Sequence, residues 1–333
     1  MTRVIAVLIP ILFNALPTPG QGPAQAQGAV AATALAVTAQ AVPGSAQPPL
    51  QAAPVVTSAN FRVYAPDGSA RTLDELIAAL DGVEVVFLGE EHDDPVAHYL
   101  EAEILRLAHA RAAAAHRPTV LSLEMFERDV QSVIDEYLSG LISEKHFLSS
   151  SRPWGRYATD YKPMVELAKA NKFSVVAANP PGRYANRVAR LGRASLADLS
   201  DEARSWLPPL PYGDPDPAYA AKFKELMGDA GGPSGPHGPS YLIDAQVLWD
   251  AGMAYSIAGA LMRQPGALVV HVNGGFHSEE RMGAPTQLLR YRPGTRFLSV
   301  AMVSGRGFPN FDVSKLGKLG DFVIVTDPAL KPK

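Results

Sequence analysis

Polar residues able to transfer protons or bind metal ions stand at the ends of several apolar runs in this sequence. They are Glu90, His92, Glu124, Asn179 and His277. If those runs are neighbouring parallel strands, their carboxyl ends meet at one edge of a sheet, where open α/β sheets bind their ligands. We therefore expect Glu90, His92, Glu124 and His277 to form a catalytic site. His92, His277 and Glu124 are the expected ligands of a divalent metal ion.

Further polar residues are expected to support this site from behind: His98, Asn179, Gln246, Asp250 and Asn273. Asp250 stands inside a long apolar helix, one turn after Gln246, so its carboxylate needs a buried partner. That partner is either a site histidine, His92 or His277, or the backbone. Glu91 is adjacent to Glu90 and cannot face the same side, so we expect it to be solvated.

The segment 154–163 is dense in aromatic residues just before a helix. Tyr157 and Tyr161 are of interest because a tyrosine oxygen can hold haem iron. The alternative is an ordinary amphipathic anchor at a helix start.

Repeated alternation of apolar runs with helical stretches predicts an α/β fold, a mostly parallel sheet with helices on both faces. The expected strands are 83–88, 119–124, 173–178, 267–272 and 297–303. The expected helices are 72–80, which opens with a capping box, 95–115, 129–138, 163–170, 218–227 and 241–262. The Pro/Gly-rich stretch 193–240 interrupts this rhythm as a helical insertion, interpreted either as a cap over the site or as a surface excursion without a role.

The N-terminal region has the order of a signal peptide. Arg3 precedes an apolar run over 4–16, and Ala24-Gln25-Ala26 is a small-residue cleavage site. We expect a signal peptide over 1–26, a flexible linker over 27–58 and one domain over 59–333, in a periplasmic or secreted protein without a stable membrane span. A retained N-terminal anchor is the alternative, because a second apolar stretch covers 29–37.

Composition and absent motifs exclude several classes of function. The net charge of −3 gives no basic field for nucleic acid. The chain has no cysteine, which excludes disulfides, thiolate metal sites, thiol catalysis and a lipidated N-terminal cysteine. It also lacks a nucleophile elbow, a phosphate-binding glycine loop, a dinucleotide fingerprint and a His-Glu-x-x-His motif, which weighs against serine hydrolases, nucleotide enzymes and thermolysin-like proteases.

The chain resembles the ChaN-like family over roughly residues 61–305. The matching motifs are Gly89-Glu90-x-His92, Pro95 with His98, Glu124-Met125-Phe126, Trp154 through Tyr161-x-Pro163, Gln246-x-x-x-Asp250-x-x-Met253-Ala254, and Asn273-Gly274-Gly275-Phe276-His277. Two features depart from the family. The lipoprotein cysteine of many members is missing, and the usual Gly-Asn-Gly-His turn is replaced by Asn273-Gly274-Gly275-Phe276-His277.

The resemblance implies a bacterial surface or periplasmic protein in which haem is held cofacially between two subunits by tyrosine. In this chain that ligand is Tyr161, Tyr157 or absent. It also implies kinship with Tiki-type metal-dependent proteases and erythromycin esterases, which use the corresponding Glu and His positions for hydrolysis. The leading expectation is therefore a protein that binds haem or a metal ion in iron handling, as a homodimer around haem. A Glu/His or metal-dependent esterase or peptidase is the second expectation, and a non-catalytic scaffold is the third.

Overall fold

The computed structural model of the chain describes residues 55–228, 241–305 and 307–331. The expected signal peptide, most of the expected linker and part of the Pro/Gly-rich insertion lie outside these residues. No helix in the described part of the chain is both long and apolar enough to cross a membrane.

The described residues form one eight-stranded sheet with the order β2-β1-β8-β7-β3-β6-β4-β5. The strands are β1 (Phe61–Tyr64), β2 (Ala70–Arg71), β3 (Val85–Glu90), β4 (Thr119–Glu127), β5 (Ser174–Asn179), β6 (Leu268–Gly274), β7 (Phe297–Ser304) and β8 (Phe322–Thr326). All neighbours from β8 to β5 pair in parallel, whereas β1 is antiparallel to both β8 and β2. The predicted mostly parallel α/β fold is confirmed.

Helices cover both faces of the sheet. They are α1 (Leu73–Ala79), α2 (Pro95–Ala114), α3 (Gln131–Leu138), α4 (Glu144–Ser151), α5 (Tyr157–Asp160), α6 (Lys162–Asn171), α7 (Gly182–Leu191), α8 (Asp201–Ser205), α9 (Pro217–Met227), α10 (Leu242–Arg263), α11 (Ala284–Tyr291) and α12 (Val313–Leu316). One core packs helices α1 to α6 against the sheet, and a second packs α10 and α11 against its other face. A third core joins α7 and α9 to α10.

Strand β3 shows how this arrangement aims the polar residues. All six of its residues are buried, as expected for a parallel strand covered on both faces. Val86 and Leu88 belong to the core that contains α2, whereas Val85 and Phe87 belong to the core that contains α10. Successive side chains of a strand alternate between faces, so Glu90 projects toward α2.

The helix and strand bounds lie close to those predicted from the sequence. Thr72 and Glu75 form the predicted capping box at the start of α1. Helix α2 begins at Pro95, with the Asp94 side chain accepting from the Val96 amide. The sequence analysis missed β1, β2 and β8, which lie together at one side of the sheet and have only two to five residues each.

The predicted insertion is helical over its described part, 193–228, which contains α8 and α9. Tyr219 and Phe223 of α9 are buried, and both rings lie against Phe276, in the turn after β6. Lys222 pairs with Glu279 at 2.8 Å and Glu280 at 3.3 Å, just beyond that turn. Helix α9 is therefore packed onto the segment that carries His277.

Candidate functional site

The carboxyl ends of three adjacent strands build the centre of the site. Strand β6 lies between β3 and β4, so Glu90, Asn273 and Glu124 reach the same edge of the sheet. The turn after β6 then brings His277 over this edge. The four residues expected to be catalytic come together although nearly 190 positions separate the first from the last.

His92 is held by a carboxylate. Its Nδ1 lies 2.7 Å from Glu90 Oε1, so an Nδ1–H donates to that oxygen and leaves Nε2 free to accept a proton. The imidazole edge packs on Trp154, with ring centroids 4.8 Å apart. The His92 side chain is 19% exposed while Glu90 is 1% exposed, so the histidine is the member of this pair that solvent can reach.

Gly274 allows His92 to approach the end of β6. A Cβ added at this position would lie 2.8 Å from His92 Nε2 and 3.7 Å from Glu124 Oε2. The Gly274 amide donates to Glu124 Oε2 at 2.7 Å, which fixes this carboxylate beside the same backbone. Because Gly274 has no side chain, the His92 imidazole and the Glu124 carboxylate can both lie close to the backbone at this position.

His277 has the same kind of support as His92. Its Nδ1 lies 2.7 Å from Asp250 Oδ1, and its Nε2 lies 3.6 Å from Glu124 Oε1. Gln246 places its amide nitrogen 3.1 Å from the same Nδ1. Of the partners expected for Asp250, which were His92, His277 and the backbone, the structure shows His277. The Trp249 ring meets the His277 ring edge-on at 6.4 Å.

Helix α9 contributes a residue that the sequence analysis missed. The Tyr219 hydroxyl donates to Asp250 Oδ2 at 2.7 Å and accepts from Gln246 Nε2 at 3.2 Å. Both oxygens of this buried carboxylate are thereby bonded, one to Tyr219 and one to His277. No sequence signal marked Tyr219, because it lies within a Pro/Gly-rich insertion far from Asp250 along the chain.

The surroundings favour the charged form of His277. Burial lowers its pKa, but the carboxylates of Glu124 and Asp250 outweigh burial and raise the pKa to about 9. Burial also lowers the pKa of His92, whereas the hydrogen bond to Glu90 raises it, and the result is a pKa above its ordinary value. His271, buried under the same edge, has no such carboxylate, and burial lowers its pKa to about 3.

A second buried cluster, the His98 cluster, lies behind Glu90 and consists of Glu90, His98, Glu101 and Asp160. His98 Nδ1 is 3.1 Å from both Glu90 Oε2 and Glu101 Oε2. Its Nε2 is 3.2 Å from the His92 carbonyl oxygen and 3.4 Å from Asp160 Oδ2. The sequence analysis named His98 but missed Glu101, one turn along α2, and Asp160.

The two tyrosines expected to hold haem are buried and protonated in this structure. Tyr161 is buried, its hydroxyl donates to Glu90 Oε1, and burial raises its pKa well above the ordinary value. Tyr157 is also buried among Phe126 and Phe147, and burial again raises its pKa. A tyrosine that binds iron must reach the haem and lose its phenol proton. Burial of these two rings acts against the first requirement, and their raised pKa acts against the second.

The ligand atoms of His92, His277 and Glu124, the three residues expected to bind a metal ion, are not all close enough together to bind one ion. In the described part of the chain, one group of three side chains has ligand atoms that all lie within 4.8 Å of one another. It consists of Glu90, His98 and Glu101. His92, His277 and Glu124 do not form such a group. Their arrangement suits proton transfer around Glu124 better than joint coordination of one ion.

Asn273, Asn179 and Glu91, which the sequence analysis also named, have different surroundings from one another. Asn273 Nδ2 donates to Gly274 O and Ser278 Oγ, each at 2.9 Å, and so shapes the turn before His277. Asn179 ends β5 opposite Glu127, and its side-chain oxygen has no hydrogen-bond partner among the described residues. Glu91 is half-buried rather than solvated, because its carboxylate pairs with Lys331 and accepts from the Ser304 amide.

Comparison with known proteins gives a family match and a fold match. The family model described as "Haem-binding uptake, Tiki superfamily, ChaN" matches residues 76–288. The structure described as cofacial haem binding to ChaN of Campylobacter jejuni superposes with a TM-score of 0.56 at 13% identity, covering 82% of this chain and all of that one. A mutant erythromycin esterase EreC in its open conformation gives a TM-score of 0.40 at 11% identity, covering 80% of this chain and 83% of that one.

A curated relative is similar over part of its length. Protein RETICULATA-RELATED 5, chloroplastic, of Arabidopsis thaliana is 25% identical over 239 residues, which cover 67% of this chain and 32% of the relative. The match thus spans about a third of that longer protein.

Proposed function

The chain belongs to the ChaN family of haem-binding uptake proteins in the Tiki superfamily, and from this premise we propose that it is a hydrolase that cleaves an ester or amide by acid–base catalysis at Glu124, His92 and His277. One observation carries the proposal. Two histidines, each with Nδ1 on a buried carboxylate, lie on either side of a third carboxylate at the ends of β3, β4 and β6. Pairs of this kind orient an imidazole for proton transfer.

The two histidines have different tasks in the proposed reaction. His92 Nε2 takes a proton from water, and the water oxygen bonds to the substrate carbonyl carbon. His277, held as an imidazolium by Asp250 and Glu124, donates its Nε2 proton to the leaving oxygen or nitrogen as the bond to carbon breaks. Glu124 keeps this charge in place while the Gly274 amide holds Glu124.

An activity survey with two matched pairs of variants tests this function. Purified protein is assayed on a panel of p-nitrophenyl esters and fluorogenic peptides. His92→Ala should lower kcat by about a hundredfold or more, as expected on loss of a proton-transferring group. Glu124→Gln should also lower kcat, because it removes a carboxylate that holds His277 as an imidazolium. His146→Ala and Glu136→Gln, which change the same residue types at exposed positions, should leave kcat unchanged.

Absence of activity across the panel, or activity that survives both site variants, would refute the proposed hydrolysis. Circular dichroism and melting curves of each variant show whether lost activity reflects lost chemistry or lost fold. Activity that is absent in every form, together with no haem binding, would support the scaffold interpretation instead.

Haem binding is the second candidate function, and the family match favours it. Because Tyr157 and Tyr161 are buried, we expect Tyr161→Phe to leave a haem absorption spectrum unchanged. Titration of haem into the protein, followed by sedimentation, tests binding and the proposed homodimer together. A spectrum that disappears in Tyr161→Phe would show that Tyr161 leaves its bond with Glu90 to bind iron.

Export is proposed on the pattern of residues 1–26. The mature chain should begin at Gln27 in the periplasm or the medium. Sequencing of the N-terminus of protein purified from its native host tests this, and a chain that retains Met1 in the cytoplasm would contradict it.

A further inference from the structure

The contacts of His98 fix which of its nitrogens carries a proton. Nε2 faces two acceptors, the His92 carbonyl oxygen and Asp160 Oδ2, so Nε2 must be the N–H donor. In the neutral ring, Nδ1 is then an unprotonated nitrogen that faces carboxylate oxygens of Glu90 and Glu101. Three electron-rich atoms would repel one another there unless a cation lies between them.

The charge of the His98 cluster calls for the same cation. Glu90 and Glu101 are 1% and 0% exposed, and in the described part of the chain no lysine or arginine pairs with either. Arg156 pairs with Asp160 instead. Two ionised carboxylates would be costly to bury beside one neutral imidazole. Burial and Glu90 raise the pKa of Glu101 well above its ordinary value, and Glu90 and Glu101 raise the pKa of His98 although burial lowers it, so the cluster takes up positive charge as protons or as a metal ion.

One extra proton satisfies this cluster only in part. A proton on His98 Nδ1 can bond to Glu101 Oε2 at 3.1 Å. Glu90 Oε2 and Glu101 Oε1 still have no hydrogen-bond partner, although both are buried. Glu90 Oε2 is aimed at the same place, because it too lies 3.1 Å from Nδ1.

A divalent metal ion satisfies all three groups. Metal–ligand distances of about 2.0 to 2.2 Å place neighbouring ligand atoms roughly 3 to 3.5 Å apart, and both measured separations from Nδ1 are 3.1 Å. We propose that Glu90, His98 and Glu101 bind a divalent first-row transition metal ion. One imidazole and two carboxylates suit Mn²⁺, Fe²⁺ or Zn²⁺.

The proposed site is structural, because its ligands are buried and leave no side open to substrate. Asp160 and the His92 carbonyl hold the far nitrogen of His98, as partners behind a metal ligand usually do. Glu90 would bind the ion through Oε2 while Oε1 keeps its contacts with His92 and Tyr161. The ion therefore fixes the carboxylate that orients His92, and it does so whether or not the protein is a hydrolase.

Metal content and stability of the whole chain test the proposal. The protein is purified without a metal column, analysed by inductively coupled plasma mass spectrometry, stripped with chelator in mild denaturant and refolded with Mn²⁺, Zn²⁺ or Co²⁺. We expect about one equivalent of one of these ions and a higher melting temperature in the loaded form. Less than about a tenth of an equivalent under every condition would overturn the proposal in favour of a trapped proton.

Glu101→Gln separates a metal from a proton. Glutamine retains the shape and a hydrogen-bond acceptor for His98 but removes a charged ligand, so metal affinity should fall by about a hundredfold or more. The matched control is Glu103→Gln on the same helix, where the glutamate pairs with Arg106 near the surface. A Glu101→Gln protein that retains its full metal content overturns the proposal.

X-ray absorption of the metal-loaded, unsubstituted chain decides the matter even if Glu101→Gln fails to fold. The proposed site has one imidazole among its ligands, whereas a metal on His92 and His277 would show two, and that result would overturn the proposal. This outcome is separate from the proposed hydrolysis. A metal-free protein that hydrolyses esters would contradict only the proposed metal site. A metal-loaded protein without activity would contradict only the proposed hydrolysis.

Discussion

At the scale of single residues, the central feature is an imidazole on each side of Glu124, and each imidazole depends on one neighbouring carboxylate. Glu90 supports His92, and Asp250 supports His277. In the proposed reaction one imidazole serves as base and the other as acid, and the acid is His277 because two carboxylates, Asp250 and Glu124, face it and raise its pKa to about 9. Different surroundings of like groups are the usual basis for acid and base roles in one site.

Gly274→Ala tests whether the position of His92 matters. The added methyl would lie 2.8 Å from His92 Nε2, which is closer than side chains tolerate, so the ring must shift from its position at the end of β6. We expect kcat on the best ester of the panel to fall roughly ten- to hundredfold, since small misplacements of catalytic groups have effects of this size.

The control for this substitution is Gly82→Ala, where an added Cβ meets no atom within 4 Å. Its kcat should match that of the unsubstituted protein. Equal activity of Gly274→Ala and the unsubstituted protein would show that the approach of His92 to β6 is not needed for the reaction.

The pKa of His277 predicts a high-pH limit of activity. The titratable groups that face this imidazole are Glu124, Asp250, His92 and His271. Burial lowers its pKa, but Glu124 and Asp250 raise it to about 9. The acid form is therefore present at neutral pH and is lost as the pH rises through about 9, so kcat should fall there.

Asp250→Asn removes one of the two carboxylates that raise this pKa and should move the high-pH limb of the kcat profile to lower pH. Nitrogen NMR of the His277 ring follows the same titration without any substrate. A ring that titrates near its ordinary value of about 6.5 in the unsubstituted protein would contradict the assignment of His277 as the acid.

At the scale of elements, α9 changes the interpretation of the insertion. Its Tyr219 supports Asp250 from behind, and its Lys222 holds the segment after β6. The described part of the insertion therefore stabilises Asp250 and the segment that carries His277.

Tyr219→Phe tests this stabilisation because it removes one hydroxyl and keeps the ring against Phe276. Asp250 Oδ2 would lose its donor inside the protein, which should lower the free energy of unfolding by about 1 to 3 kcal/mol. Urea denaturation measures this loss. Tyr241→Phe, in which the residue is 38% exposed, is the matched control and should change stability little. Equal stability of both variants would mean that α9 does not support Asp250.

At the scale of the whole molecule, the three described hydrophobic cores contain buried residues from Val63 to Ile324. These cores account for both faces of the sheet. A chain that begins at Val55 should therefore fold alone and melt within about 2 °C of the full-length chain, a shift that corresponds to about 1 kcal/mol for a domain of this size. Differential scanning calorimetry makes the comparison. A melting temperature more than about 5 °C lower would show that residues 1–54 contribute to the stability of the domain.

Local patterns in the sequence predicted five of the eight described strands, half of the twelve described α-helices and the set of residues at the sheet edge. Runs such as 83–88 predict buried parallel strands because only a strand covered on both faces is apolar at every position. The ends of such strands also identify Glu90 and Glu124, since a polar residue after an apolar run has to meet a partner. The capping box at Thr72 is likewise local, and it was found as predicted.

Tertiary structure alone decided which of these groups pair. Strand order cannot be read from the sequence, and it is the position of β6 between β3 and β4 that brings Gly274 to both His92 and Glu124. Burial, also a property of the assembled fold, places Tyr157 and Tyr161 in the interior of the domain. Asp250 met His277 and Tyr219, and His98 met Glu101, because hydrogen bonds between distant segments depend on distances that form only when both faces of the sheet are packed.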